Sequence, residues 1–269
     1  MIIFIGDLHG NVDALNQLAC GLKLTDSLLS WSAVDTILVI TGDVCDRGRD
    51  SASIYRKIMD WQTASPAFGS EVIFLVGNHE IMNISGYYYY NTPAETASYA
   101  FSGGESGEKA KRKAFAPGGW LFEWLARQRF IVRTGPFIAA HADFPAEFKY
   151  LSIDEIEENS RRLFYESAGG LTETDSLLWC RDARIGPPGY EAKLGRFLES
   201  NGASHWVCGH TPSLDGKIRS GYTGKYICVD TAMSFRPGNT SALVYDCGKI
   251  LAAYPDGNGG LRYEAPVEL

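Results

Sequence analysis

Met1-Ile2-Ile3-Phe4-Ile5-Gly6-Asp7-Leu8-His9-Gly10 opens the chain. A short apolar run closed by glycine reads as a buried β-strand that ends in a tight turn. Behind it stand a carboxylate and an imidazole two residues apart. In an open α/β sheet, ligands collect beyond the carboxyl ends of the strands. Asp7 and His9 can there face one point, as one oxygen and one nitrogen donor for a metal ion.

The same grammar repeats downstream. Residues 11–24 carry Val12, Leu15, Leu18, Ala19 and Leu22 at helical spacing. Residues 35–41 read as a second buried strand, ending in Gly42-Asp43-Val44-Cys45-Asp46-Arg47-Gly48. A helix is expected over 51–63, closed by Ser65-Pro66. A third strand over 71–76 ends in Gly77-Asn78-His79-Glu80. This is a βαβ series with polar clusters at one edge of the sheet.

Residues 81–116 break the rhythm. Four tyrosines, Tyr87 to Tyr90, precede Ser102-Gly103-Gly104 and the basic Lys109, Lys111, Arg112 and Lys113. A long irregular excursion in a compact domain is a functional loop or a disordered one. Two readings stay open: a cap whose rings and charges line the mouth of a site, or a solvated excursion. A helix resumes near Pro117, a hairpin spans 130–140, and helices are expected over 154–166 and 190–200. The last third is strand-rich, with a hairpin around Cys247-Gly248 and a loose tail after Pro255.

Composition narrows the class. The 269 residues suit one domain, with 45% hydrophobic and 12% aromatic residues to build its core. A net charge of −7 and a pI near 5.3 disfavour nucleic acid, and with it a nuclease. No apolar stretch approaches a membrane span, and no basic leader precedes the first strand, so a cytoplasmic location is expected. The six cysteines form no CxxC pair and read as reduced, small, buried side chains.

Of five histidines, four (His9, His79, His141 and His210) close strands beside Asp, Asn or Gly, whereas His205 precedes Trp206 and reads as a packed residue. With Asp7, Asp43 and Asn78 they offer oxygen and nitrogen donors for two ions. Without a thiolate, the set suits Mn, Fe or Zn.

The three clusters resemble the GDxHG, GDxxDRG and GNHE signature of the phosphoprotein phosphatase superfamily, in order and spacing. GNHExMN over 77–83, Leu178-Trp179-Cys180-Arg181, and Val229 to Ser234 are similar to the bacterial Shewanella-like branch. The resemblance implies a calcineurin-like α/β fold, in which two mixed β-sheets form a central sandwich flanked by helices. It implies one domain over 1–269 with a cap near 81–116. Two divalent cations are implied, manganese first, with iron or zinc as alternatives. Asp7 and His9 would hold the first, Asp43 would bridge, and Asn78, His141 and His210 would hold the second. A shared water made acidic by the pair would attack phosphorus in line, with no phospho-enzyme. Arg47, Arg181 and Asn78 would bind the phosphoryl group, and His79, held by Asp46, would protonate the leaving oxygen.

The expected substrate is a phosphoprotein (Ser/Thr or Tyr) or a small phosphomonoester. A dinucleoside polyphosphate hydrolase and a catalytically silent phospho-ligand module are the rivals. One departure stands out. The family places glycine soon after the third histidine, whereas here the run is His141-Ala142-Asp143. Asp143 either tunes a ligand histidine or points into solvent.

Overall fold

The computed structural model describes residues 1–100, 105–166, 171–174, 176–236 and 238–269. Its first sheet is seeded by β1 (Ile2–Ile5), β2 (Ile37–Ile40) and β3 (Glu71–Phe74), which pair in parallel. α1 (Val12–Gly21) and α2 (Ser51–Ala64) make the crossovers. Asn11 and Asp50 cap these helices by accepting the Ala14 and Ser53 amides. Apart from Glu71, which is exposed at the start of β3, these parallel strands are apolar at every position, because both of their faces are covered. Ile2 and Phe4 point into the space between two sheets, while Ile3 and Ile5 point under the helices.

The chain then crosses to the second layer. α3 (Asn78–Ile84), α4 (Pro93–Ala97), α5 (Gly107–Phe115) and α6 (Trp120–Leu125) lead to the antiparallel hairpin of β4 (Ile131–Thr134) and β5 (Phe137–Ala140). α7 (Ile153–Glu166), α8 (Asp182–Ile185) and α9 (Tyr190–Ser200) precede β6 (His205–Cys208), which lies parallel to β5. β7 (Arg219–Gly221) and β8 (Tyr226–Cys228) follow.

The chain end returns to the first sheet. β9 (Ala242–Asp246) pairs antiparallel with β1, and β10 (Lys249–Pro255) and β11 (Leu261–Glu264) extend that edge. β12 (Val267–Glu268) joins the second sheet beside β7. The outcome is two mixed six-stranded sheets, ordered β11-β10-β9-β1-β2-β3 and β12-β7-β8-β6-β5-β4, with helices outside them. Phe4 meets Phe137 edge-on across the interface, at 5.1 Å between ring centres. Burying each such ring is worth about 1.5–3 kcal/mol.

Three expectations need correction. The tail after Pro255 is not loose: β11 and β12 pair along both sheets, and Lys217 reaches Glu264 at 2.9 Å. Residues 81–116 are largely helical among the described residues, because Thr92 caps α4 and the apolar face of α5 is buried. The Ser102-Gly103-Gly104 run lies outside the described residues. Finally, all six cysteines are free as expected, but Cys20 and Cys247 are exposed rather than buried.

Candidate metal centre

Parallel β1, β2 and β3 share one carboxyl end, and β5 and β6 point theirs to the same place from the second sheet. Asp7 and His9 follow β1, Asp43 to Arg47 follow β2, and Asn78 and His79 open α3. His141 follows β5 and His210 follows β6. Asp7, His9, Asp43, Asp46, Asn78, His79, His141 and His210 are all buried. The turns there are tight. His9, Asp43, Asp46, Arg47 and His210 have φ of 40°, 51°, 69°, 65° and 66°, a left-handed conformation that side chains with a Cβ rarely adopt. Such strain collects at functional sites. At Gly77 no side chain fits, since a methyl group would fall on the Asp43 carboxylate.

Two triads of possible ligands share Asp43: His9, Asp43 and His79, and Asp43, His141 and His210. Donor chemistry tests whether a cation belongs between them. His141 Nδ1 lies 2.7 Å from the Thr41 carbonyl, which can only accept, so in the neutral ring, the form that binds a metal, Nε2 carries the lone pair. That lone pair faces Asn78 Oδ1 at 2.8 Å and Asp43 Oδ1 at 3.5 Å, neither with a proton to give. Asn78 Oδ1 also lies 3.0 Å from His210 Nδ1. His9 repeats the device: Nδ1 meets the Cys45 carbonyl at 2.7 Å, leaving Nε2 3.7 Å from Asp43 Oδ2. Donors sharing one ion at about 2.1 Å lie roughly 3–3.5 Å apart, so these spacings fit divalent metal. Nitrogen and hard oxygen without thiolate suit Mn, Fe or Zn.

Asp7 belongs to neither triad. Both of its oxygens accept the His210 backbone N–H, at 3.1 Å each. Burial, with the nearby charges of Asp230 and Asp43, raises its pKa well above the usual carboxylate range.

His79 is wired differently from the other imidazoles. Its Nδ1 meets a carboxylate, Asp46 Oδ2, at 2.6 Å instead of a carbonyl. Its Nε2 meets Arg47 Nη2 at 3.1 Å and lies 3.8 Å from Asp43 Oδ2. The sequence reading keeps His79 out of the ligand set, whereas the geometry brings it into a triad. Electrostatics separate it again. Burial lowers His9 to about 3 and depresses His210. At His79 burial acts the same way, but Asp43 and Asp46 outweigh it and raise the pKa above the ordinary value. Titratable groups pushed apart in this manner mark acid and base roles. Asp43 is opposite in sign: burial would raise it, and the surrounding histidines draw it below the usual range.

At the mouth, Arg47 lies between two rings, 5.0 Å from the centre of Tyr90 and 5.0 Å from that of Phe235. Arg181 is anchored by Thr211 Oγ1 at 2.8 Å and the His210 carbonyl at 3.3 Å. A cleft of about 440 Å³ adjoins, lined by His9, Arg47, Met233 and Ser234 among others. His205 is apart from the site. It bonds the Gly224 carbonyl at 2.7 Å and packs on Phe137.

Asp143 takes neither expected role. It is buried, where Oδ1 accepts Tyr226 Oη at 2.6 Å and Oδ2 accepts the Ala183 amide at 3.0 Å. No ligand imidazole bonds it, because Nδ1 of His141 goes to Thr41. Asp143→Gly should therefore unpair buried donors, the Tyr226 hydroxyl and the Ala183 amide first, and open a cavity. We expect a Tm lower by about 5–10 °C with unchanged metal content. A thermal melt with metal analysis checks both, and an unchanged Tm would contradict the buried role.

Sequence reasoning missed the groups that support the site. Glu80 accepts the Asp43, Val44 and Gly77 amides, at 2.9 Å each, and Tyr55 Oη at 2.5 Å. Lys111 is not a surface charge: it is fully buried and reaches Asp46 at 3.1 Å and Glu95 at 2.9 Å. Its place was legible, since Lys111, Ala114 and Phe115 fall on one helical face. Phe235 gave no signal.

Comparison with known proteins agrees with this geometry. The chain is 29% identical over 246 residues to Shewanella-like protein phosphatase 1 of Plasmodium berghei (strain Anka), covering 87% of this chain and 67% of that protein. It is 34% identical over 91 residues to Shewanella-like protein phosphatase 2 of Arabidopsis thaliana, covering 34% of this chain and 23% of that one. In fold it is similar to the cold-active protein-tyrosine phosphatase of a psychrophile, Shewanella sp., with a TM-score of 0.82 at 20% identity over 97% of this chain and 79% of that chain. β1, β2, β3, β5 and β6, the turns that follow them and both candidate triads fall within residues 1–214, the span matched by the calcineurin-like phosphoesterase model, and the chain belongs to that family.

Proposed function

We propose that this protein is a dinuclear metal-dependent phosphatase of phosphoproteins. One observation carries the reading: two groups of buried donors share the Asp43 carboxylate, and His79, which lies in the first of them, turns its Nδ1 to the Asp46 carboxylate and is read as the acid rather than a ligand. Asp7, His9 and Asp43 are assigned to one ion, and Asp43, Asn78, His141 and His210 to the other. Metal ions held there would activate a water for attack on phosphorus and offset charge on the phosphoryl oxygens.

The chain's own residues do the rest. Arg47 offers a rigid fork to two phosphoryl oxygens, and Arg181 supplies a second cation. Arg47 can only donate, so its bond to His79 Nε2 requires a neutral ring. A phosphoester that draws Arg47 to itself releases Nε2 to carry a proton. Asp46 holds Nδ1–H and stabilises the imidazolium, which gives that proton to the leaving oxygen.

Tyr90 and Phe235 favour an aryl phosphoester, such as phosphotyrosine, because their exposed rings flank Arg47. The relatives named as protein phosphatases and the protein-tyrosine phosphatase of the same fold support this substrate class. The test is metal-reconstituted turnover of phosphotyrosyl, phosphoseryl and phosphothreonyl peptides and a dinucleoside tetraphosphate, with a chelator control. Manganese should restore turnover, at least about tenfold faster on the phosphotyrosyl peptide, the size of a single well-placed contact. Preference for the dinucleoside would favour the rival hydrolase. Binding without turnover would favour a silent module.

A further inference from the structure

Asp46 is the least ordinary of the buried carboxylates. One oxygen faces His79, and Asn83 Nδ2 bonds both oxygens at 3.0 and 3.1 Å. Its other charged partner comes from a distant helix. Lys111 of α5 carries its Nζ to Asp46 Oδ1 at 3.1 Å, Glu95 Oε1 at 2.9 Å and Asn91 Oδ1 at 2.6 Å. An ammonium has three N–H donors, and three acceptors surround this one. Burial disfavours its charge, but the negative groups around it raise its pKa above the ordinary lysine value.

The same segment grips the backbone that carries Asp46. Glu95 Oε1 accepts the Asp46 amide at 2.6 Å, the Tyr90 carbonyl accepts the Arg47 amide at 2.9 Å, and Thr92 Oγ1 donates to the Gly48 carbonyl at 2.6 Å. Asp46 and Arg47 are the residues there in left-handed backbone. Among these groups Lys111 is the cation that meets both buried carboxylates, Asp46 and Glu95. Without Lys111, two carboxylates would stand buried together with no ammonium between them.

We propose that Lys111 is a positioning residue for the reaction: it fixes Asp46 against His79, so that α4 and α5 are part of the acid machinery and not only a cap. The inference rests on the reading of His79 as general acid. A group acting through that acid matters in proportion to the leaving group's need for a proton. Phenyl phosphate, whose leaving phenol has a pKa of about 10, needs it. 4-Nitrophenyl phosphate, with a far weaker base as leaving group, hardly does.

The experiment compares kcat and KM on both substrates for manganese-loaded wild type, Lys111→Met, Asn91→Leu and His79→Asn. A general acid contributes about 10²–10⁴-fold. His79→Asn should lose about that on phenyl phosphate and only a few-fold on the nitrophenyl ester. Lys111→Met should lose about thirtyfold and about twofold in the same order, with KM within about twofold, as a fraction of that acid contribution. Equal loss on both substrates, or a change in KM alone, would make Lys111 merely structural and overturn the proposal. If Lys111→Met does not fold, Asn91→Leu decides, since it unpairs no charge. It should slow phenyl phosphate about three- to fivefold and leave the nitrophenyl ester unchanged, and equal effects overturn the proposal. Equal loss in His79→Asn removes the general acid itself, and the inference falls with it.

Discussion

Asp43→Asn should lower kcat/KM on an aryl phosphate by about a thousandfold or more and leave the protein binding one metal ion instead of two. Asp43 is the one side chain common to both triads, with Oδ1 toward His141 and Oδ2 toward His9. An amide presents one acceptor oxygen and one N–H₂. Whichever way it turns, one triad meets a donor where it held a carboxylate oxygen. Loss of a bridging charge worth about 4 kcal/mol in the transition state corresponds to a factor of about 10³. The fold should survive in the chelated state, because the amide oxygen of asparagine can still accept the His79 backbone N–H that Asp43 Oδ1 accepts at 2.9 Å. What should vanish is most of the rise in Tm on adding manganese, since that rise reports binding to the folded state. Metal analysis, melts with and without manganese, and turnover together test the claim. Two ions per chain with activity within tenfold of wild type would end the bridging assignment.

The ligand-bearing strands were readable because each is apolar on both faces. Ile2 and Phe4 fill the sandwich while Ile3 and Ile5 fill the helix layer, so no polar residue interrupts the run before its glycine. The helices showed in their spacing, with Tyr190–Ser200 as predicted. Long-range pairing left no local mark. β9 lies against β1 with Ile3 opposite Val244, a contact that no periodicity in either segment encodes. β11 was hidden because Arg262 and Tyr263 are exposed, and an edge strand lacks the solid apolar run. The donor set at the strand ends was visible as residue types, but its wiring was not. Which imidazole faces a carbonyl and which a carboxylate depends on turns from other strands, and that difference separates His79 from His9 and His141. Lys111 stood in a basic run that looks solvated, and only its register with Ala114 and Phe115 gave it away.

Glu80 exposes the same limit most sharply, and its replacement should have the largest effect on stability. It follows the proposed ligand Asn78 by two positions, yet its carboxylate turns away from the metal centre and into the protein. Oε2 accepts the amides of Asp43 and Gly77, and Oε1 accepts the Val44 amide and Tyr55 Oη. With the Cys45 thiol at 3.6 Å from Oε1, five donors converge on two acceptor oxygens. Burial and the Asp43 charge raise its pKa, and the bonds from Tyr55, Val44 and Asp43 act in the opposite direction. In Glu80→Gln one oxygen becomes N–H₂: at the Oε2 place it meets the Asp43 and Gly77 amides, and at the Oε1 place it strands the Val44 amide even if the Tyr55 hydroxyl turns to accept. Stranding buried donors in this way costs about 3–5 kcal/mol. For a chain of this size that is a Tm lower by about 6–20 °C, because each kcal/mol shifts Tm by roughly 2–4 °C. The loss should persist in chelator, since the bonds support the Asp43 turn whether or not metal is present. It should also weaken manganese binding, because among the described residues no other side chain accepts the amide of Asp43, which sits at φ 51°. Urea unfolding of the chelated variant measures the first effect and metal titration the second. A destabilisation under about 1 kcal/mol, the size of one ordinary hydrogen bond, would mean that the left-handed turn holds itself, and that Glu80 is in the motif for some other reason.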